Sequence, residues 1–216
     1  MLSISDEFST LKDLCVCKGE SIPEYQGYEN THPEFSKYYI LPWSRRKFLK
    51  QQEEFFLLLE KYRVNLHFLS VDKSKPWQAY TRDIGFVIND KLFYSEKRNL
   101  PEREGEVDEV LKDLPFDKKN SVVKILNGSI EGGDVLVHEG RAFVGVSART
   151  SIKAVLELSN YVDVTMLDLG SNIMHLDTRL TFLPRGYALI YPPVFKKEDL
   201  NLLGRIFKFI TINSEE

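Results

Sequence analysis

Four short motifs set titratable side chains beside apolar, strand-like runs: Tyr80-Thr81-Arg82-Asp83, Glu131-Gly132-Gly133-Asp134, Ser147-Ala148-Arg149-Thr150 and His175-Leu176-Asp177-Thr178. Together they offer carboxylates, an imidazole and a guanidinium, but no thiol. Carboxylates accept the paired hydrogen bonds that a planar, delocalised cation such as a guanidinium presents in a fixed fork. Attack on the central carbon of such a cation needs a strong nucleophile, because resonance makes that carbon a poor electrophile. A thiolate is the usual answer, with a histidine to protonate the leaving amine and then to activate water. On that chemistry Asp83, Glu131 and Asp177 are the candidate acceptors, and His175 is the candidate acid and base. Asp177, two residues beyond His175 in a predicted strand, shares its face. Gly132 and Gly133 would allow a backbone conformation closed to other residues and let a ligand come close. Asp134 closes that turn as a further substrate-binding candidate, and Arg149 could meet a substrate carboxylate or an internal acid.

Each motif also has a plain structural reading. Arg82 and Asp83 could be a surface ion pair, and Glu-Gly-Gly-Asp a tight turn before a strand. Ser147 or Thr150 could cap the following helix, and a histidine in a strand is often structural. His67 and His138 read as structural or surface residues. What favours chemistry is that the motifs occur together, in order, with Asp83, Glu131 and His175 following one another at intervals of about 45 residues.

That interval belongs to the elements around the motifs. Ile84–Ile88 and Leu92–Tyr94 flank the turn Asn89-Asp90-Lys91, a helix is predicted from Pro101 to Leu114, and a strand over Val122–Leu126 follows. Val135–Val137, the turn His138-Glu139-Gly140, Ala142–Val146, a helix from Thr150 to Leu158 and a strand Val162–Leu167 repeat the order. His175–Leu183, Pro184-Arg185-Gly186, Tyr187–Tyr191, a short helix Glu198–Leu203 and Phe207–Ile212 repeat it again. Residues 11–70 read as a degenerate first copy. It has a strand over 11–17, a long irregular loop from Tyr25 to Pro42, and a helix capped by Ser44 that runs to Tyr62. Phe48, Phe55, Leu58, Leu59 and Tyr62 form that helix's apolar face, and a strand over 65–69 ends the copy. The chain is thus expected to be one α/β domain of strand-strand-helix-strand modules, at about 10–70, 78–126, 131–168 and 174–212, with the motifs converging on a central pocket.

Composition narrows the classes. With 216 residues, 43% of them hydrophobic, the chain can bury a real core. A net charge of −3 argues against nucleic acid as a partner. No apolar run approaches the length of a membrane span and the N-terminus has no signal-peptide pattern, so no membrane partner is expected and the cytoplasm is the default compartment. Cys15 and Cys17, alternate residues of an extended run, point to one face and read as reduced, small apolar strand residues. Cys-x-Cys without a second ligand pair is no zinc signal. No metal or cofactor is expected, because a cationic substrate accounts for the acceptors.

Tyr-Thr-Arg-Asp, Glu-Gly-Gly-Asp, Ser-x-Arg-Thr and His-Leu-Asp-Thr, in that order, resemble the guanidino-group-modifying superfamily: arginine deiminases, amidinotransferases and dimethylarginine dimethylaminohydrolases. The likeness covers about residues 10–212. It implies a pentein fold, a five-bladed αβ propeller of which about four blades are present here. It also implies a guanidino substrate of the arginine or methylarginine type, Asp83 and Asp177 as substrate contacts, Glu131 as a catalytic or guanidinium-binding carboxylate, and His175 as acid and base. Arg149 matches a residue near the substrate carboxylate. The family's nucleophile is a cysteine in the last module, and Cys15 and Cys17 do not match its motif. Two readings follow: a truncated enzyme, inactive as it stands and prone to self-associate through an unpaired strand edge, or a non-catalytic pentein that binds a guanidino ligand or a protein partner.

Overall fold

The computed structural model describes residues 3–22, 44–97, 99–114, 117 and 119–213. The loop expected from Tyr25 to Pro42 lies outside the described residues.

Three times along the chain, two antiparallel strands are followed by a helix and a third strand parallel to the second. β3 (Phe86–Ile88) pairs antiparallel with β4 (Lys91–Ser95), which pairs parallel with β5 (Val122–Ile125). β6 (Val135–His138), β7 (Arg141–Val146) and β8 (Val164–Asp168) repeat the pattern, as do β9 (Leu180–Leu183), β10 (Tyr187–Ile190) and β11 (Lys208–Thr211). The first unit differs: β1 (Asp13–Val16) pairs parallel with β2 (Asn65–Phe68), a two-stranded sheet among the described residues. The tight hairpins follow from residues that tolerate a left-handed backbone. Glu139 and Gly140 at φ 52° and 72°, and Arg185 and Gly186 at 65° and 73°, turn the chain with the hand that matches strand twist.

Alternation decides which faces are buried. Phe86, Phe93, Ile125, Val135, Val144, Val155 and Leu158 form one core between the second and third sheets. A second holds Leu136, Phe143, Phe182, Ile190 and Phe207, with the Phe182 and Phe207 rings stacked at 4.4 Å and Phe143 edge-on to Phe182 at 5.0 Å. Cys17, Leu69, Ile84, Leu92, Val107 and Val110 form a third, with Cys15 packed against it.

The helices depart from expectation in instructive ways. α1 (Arg45–Lys61) is capped by Ser44, whose hydroxyl accepts from Lys47 N at 3.3 Å, as expected. Its inner face agrees with expectation in part: Phe48 and Leu59 are half-buried, but Phe56 is the buried residue, while Phe55, Leu58 and Tyr62 are exposed. The pivot is polar, since Gln52 accepts from Gly19 N at 2.9 Å and donates to Cys17 O at 3.0 Å. The expected helix from Pro101 to Leu114 is broken into a one-turn piece, Pro101–Arg103, and α3 (Val107–Asp113), because Gly105 adopts φ 77°. α4 (Ile152–Leu158) is capped by Ser151, not Ser147 or Thr150. α5 (Lys197–Leu203) and β11 lie close to where they were expected. No helix among the described residues is long and apolar enough to cross a membrane.

Candidate active site

Three of the four motifs precede the first strand of a hairpin, and in each of these the chain makes a single tight turn before extending; Ser147-Ala148-Arg149-Thr150 instead follows β7 and leads into α4. Thr81–Ile84 forms the one-turn helix α2 ahead of β3, Gly132–Asp134 a 3-10 turn ahead of β6, and Leu176–Thr178 another ahead of β9. The repeat therefore delivers the three turns to equivalent corners, where the second packs on the first and the third on the second. The strand expected to start at His175 begins instead at Leu180. His175 caps the 3-10 turn and Asp177 lies within it, so the two do not share a strand face as their spacing suggested.

At the contact of the turns His175 sits between two carboxylates. Its Nε2 is 2.9 Å from Glu131 Oε2 and its Nδ1 is 3.8 Å from Asp83 Oδ1. His175 is 5% exposed and Glu131 1%, so the pair is shielded from water. Burial alone would lower the imidazole's pKa. The hydrogen bond to Glu131 and the charges of Asp83, Asp134 and Glu131 outweigh that and raise it to about 8. The imidazolium thus persists at neutral pH, with Nε2 held by Glu131 and Nδ1 turned toward Asp83.

Gly133 is required by this packing and not by its backbone angles. A Cβ there would lie 2.7 Å from His175 Nδ1 and 2.9 Å from Asp83 Oδ1, and one at Gly132 would run into the carbonyl of Arg82. Neither glycine has the positive φ that the sequence reading anticipated.

Asp134 is enclosed beneath the turn, where Oδ2 lies 2.6 Å from Ser147 Oγ and Oδ1 accepts from Leu176 N at 3.0 Å. It therefore ties the second, third and fourth motifs together. Burial raises its pKa to about 7 against the pull of His175, Ser147, Thr150 and Leu176. Ser147 Oγ also accepts from Arg149 N at 2.9 Å, and Thr150 Oγ1 accepts from Glu131 N at 3.2 Å. Arg149 is buried with Nη2 3.9 Å from Met174 Sδ.

Both carboxylates expected to grip a ligand already hold an internal guanidinium. Asp83 Oδ2 is 3.2 Å from Arg103 Nη1, and Asp177 Oδ2 is 3.2 Å from Arg82 Nε. Arg103 is buried, with Nε on Glu106 Oε2 at 2.8 Å and Nη2 donating to Tyr80 O at 3.1 Å. Sequence reading missed Arg103 and Glu106 because Pro101-Glu102-Arg103-Glu104-Gly105-Glu106 has the composition of a solvated loop. Arg82 and Asp83, read as a possible surface pair, each hold partners distant in sequence: Glu7 and Asp177 for Arg82, and Arg103 for Asp83.

The ligating atoms of Asp83, Glu131 and His175 lie within 4.8 Å of one another, a spacing a divalent ion could bridge. The Arg103 guanidinium on Asp83 and the Glu131–His175 hydrogen bond oppose a compact dication there. Cys15 and Cys17 belong to the third core; burial raises their thiols to about 12 and about 11, so neither is a thiolate at neutral pH.

Stability should depend on pH through the site. His175 has a folded pKa of about 8 against 6.5, so its contribution is complete below 6.5 and lost as pH rises through 8. Asp134, raised from 3.8 to about 7, contributes below 3.8 and loses that contribution as pH rises through 7. Both act in one direction. The urea midpoint should fall between about pH 6 and about pH 8.5, with His175 alone accounting for about 2 kcal/mol. His175→Gln should flatten the upper part of that fall; an unchanged slope would show that the imidazolium does not support the fold.

Comparison with known proteins relates the chain to a family. The model of the arginine deiminase family matches residues 76–208. YkgA, an uncharacterized protein of Bacillus subtilis (strain 168), is 29% identical over 214 residues, covering 97% of this chain and 73% of its own. The bifunctional arginine dihydrolase/ornithine cyclodeaminase AgrE of Nostoc sp. is 26% identical over 193 residues, 77% of this chain and 25% of AgrE. Among solved structures, a cysteine-to-serine variant of DDAH from Pseudomonas aeruginosa complexed with citrulline superposes with a TM-score of 0.74 at 18% identity, over 95% of this chain and 78% of that one. The product-bound N-terminal domain of ArgZ, a cyanobacterial arginine dihydrolase, gives 0.76 at 17% identity, over 95% and 76%. At these identities the two structures establish a shared mixed α/β fold.

Proposed function

Because the chain belongs to the arginine deiminase family of the guanidino-group-modifying (pentein) superfamily, we propose that its site binds a guanidino compound of the arginine or methylarginine type and handles protons on it. The observation that carries this reading is the buried imidazole of His175 held between Glu131 and Asp83. Asp83, Glu131 and Asp177 accept N–H groups of the ligand, and Gly132 and Gly133 leave the close approach a flat cation needs. Arg149 meets the ligand's carboxylate, and Asp134 holds the turns in register.

In the reaction that suits this arrangement, a thiolate adds to the guanidino carbon. The C–N bond to the leaving amine breaks with a proton supplied by His175, and a covalent amidino-thiol adduct remains. His175 then takes a proton from water, or from an acceptor amine, which displaces the sulfur. Neither cysteine present is assigned as that thiol, since Cys17 is buried in the third core and Cys15 packs against it; the chain spans about three quarters of YkgA and DDAH, 73% and 78%. The chain alone therefore binds without turnover. It is one incomplete pentein domain, four modules of a five-bladed ring.

Calorimetric titration with L-citrulline and L-arginine tests the reading. Saturable binding with a Kd of about 1 mM or tighter is expected, weakened about tenfold or more by Asp83→Asn, which removes a charge-assisted acceptor. No saturable binding of any guanidino or ureido compound would sink it. A covalent adduct formed by the 216 residues alone would overturn the assignment of the nucleophile.

A further inference from the structure

Arg82 is the charged residue of the four motifs to which the functional reading gives no task, yet most of its guanidinium is engaged. Nε is 3.2 Å from Asp177 Oδ2, Nη1 and Nη2 lie 3.4 and 3.3 Å from Glu7 Oε2, and Nη2 donates to Val135 O at 3.0 Å. Its backbone carbonyl rests against Gly132. We propose that Arg82 is a positioning residue that holds Asp177 beside His175 and fastens it, through Glu7, to the N-terminal segment. The proposal rests on the guanidino-binding reading of the site.

Asp177 needs such a device. It lies in a 3-10 turn, so no sheet register fixes the direction of its side chain, and Arg82 engages its Oδ2. The anchor is built from both sides of Glu7. Ile4 exchanges two backbone hydrogen bonds with Asn89 at the β3–β4 turn, 3.0 and 2.7 Å, and Ser5 O accepts from Gly140 N at the β6–β7 turn at 2.9 Å. Asp6 bridges to His138, its carboxylate accepts from Phe8 N and Ser9 N, and Phe8 packs on the second core. Glu7 itself accepts from Val137 N at 2.9 Å through Oε1, leaving Oε2 for Arg82. The N-terminal segment thus joins two sheets and ends in a carboxylate that aims the arginine.

The groups facing Asp177 give the test its sign. Burial raises its pKa; Arg82 and His175 oppose that, while Asp83 and Glu7 add to it. Carbonyl-detected NMR titration of Asp177 in the ligand-free protein, with citrulline calorimetry and thermal melts beside it, separates the possibilities. Arg82→Met should raise the Asp177 midpoint by about one unit or more and weaken citrulline binding about tenfold or more. Glu7→Gln discriminates further. As a mere nearby charge, its loss would lower the Asp177 midpoint; if Glu7 acts by holding Arg82, the midpoint rises and affinity drops about threefold. A Glu7→Gln midpoint that falls, or an Arg82→Met midpoint equal to wild type whatever its melting temperature, would overturn the proposal. Absence of citrulline binding by the wild type would sink the functional reading instead, leaving the titration to decide the role of Arg82. Should Arg82→Met not fold, Glu7→Gln alone decides.

Discussion

Replacing Glu131 by alanine is expected to remove about 3 kcal/mol of stability and to bring the His175 midpoint down from about 8 toward its ordinary 6.5. The carboxylate is almost wholly buried and 2.9 Å from Nε2, so its loss strands a cation away from water. His175 can escape by releasing its proton, which places the cost at the low end for a broken buried ion pair. Glu131→Gln separates the two effects. It keeps the volume and an acceptor, so stability should fall by only about 1 kcal/mol, while the midpoint still drops because the upward pull of the negative charge is gone. Urea unfolding and proton NMR of the His175 ring measure the two quantities independently. An unchanged midpoint in Glu131→Gln would show that Asp83 and Asp134 hold the proton unaided. In an assembly that supplies the thiol, the same variant should lose about 10²–10⁴ of its rate near neutral pH, the usual worth of a positioned proton donor.

Two adjacent glycines should fail in different ways when changed to alanine. At Gly132 the added methyl meets the backbone carbonyl of Arg82, and a further contact to Gly85 O at 3.3 Å closes the other side. Main chain cannot step aside as a side chain can, so Gly132→Ala should cost about 3 kcal/mol or more, at the upper end for overpacking, and part α2 from the second turn. At Gly133 the methyl meets side-chain atoms, His175 Cγ and Nδ1 at 2.7 Å and Asp83 Oδ1 at 2.9 Å. The fold should survive Gly133→Ala with a loss of about 1–2 kcal/mol. The imidazole and the carboxylate must move apart, however, and citrulline affinity should fall about a hundredfold, as for other sites misaligned by about an ångström. Thermal melts and calorimetry on both variants distinguish the cases. A Gly133→Ala protein that binds as well as wild type would show that the face of Gly133 does not line the ligand site.

Much of the architecture was legible because it is written locally. The hairpins around Asn89, Glu139-Gly140 and Arg185-Gly186 follow from turn residues flanked by alternating apolar strands, and their repetition located the motifs at equivalent corners. What failed was whatever depended on a partner far along the chain. On α1, Phe48 and Leu59 lie on the inner face as their spacing suggests, but Phe55, Leu58 and Tyr62 do not, and the inner face carries Gln52, which bonds to Gly19 and Cys17, 33 and 35 residues away. His175 and Asp177 were assigned to a strand because their apolar spacing looks extended, whereas Asp134 receives Leu176 N and bends the chain into a 3-10 turn. Arg103 gave no signal, since a charged run looks solvated until a carboxylate and a carbonyl from another element enclose it.

By itself, then, the sequence determined the inventory and its spacing: which acids, which imidazole, no thiol in the motifs, and a repeat that brings them to one place. Periodicity and turn chemistry act over a few residues, so they can be read without knowing the fold. The tertiary structure decided which charges meet. It gave Asp83 to Arg103 and Asp177 to Arg82, brought Glu7 to Val137 across 130 residues, and surrounded His175 with enough negative charge to hold its proton. Electrostatic and hydrogen-bond energies depend on separation and burial in space, and those exist only once the chain has folded.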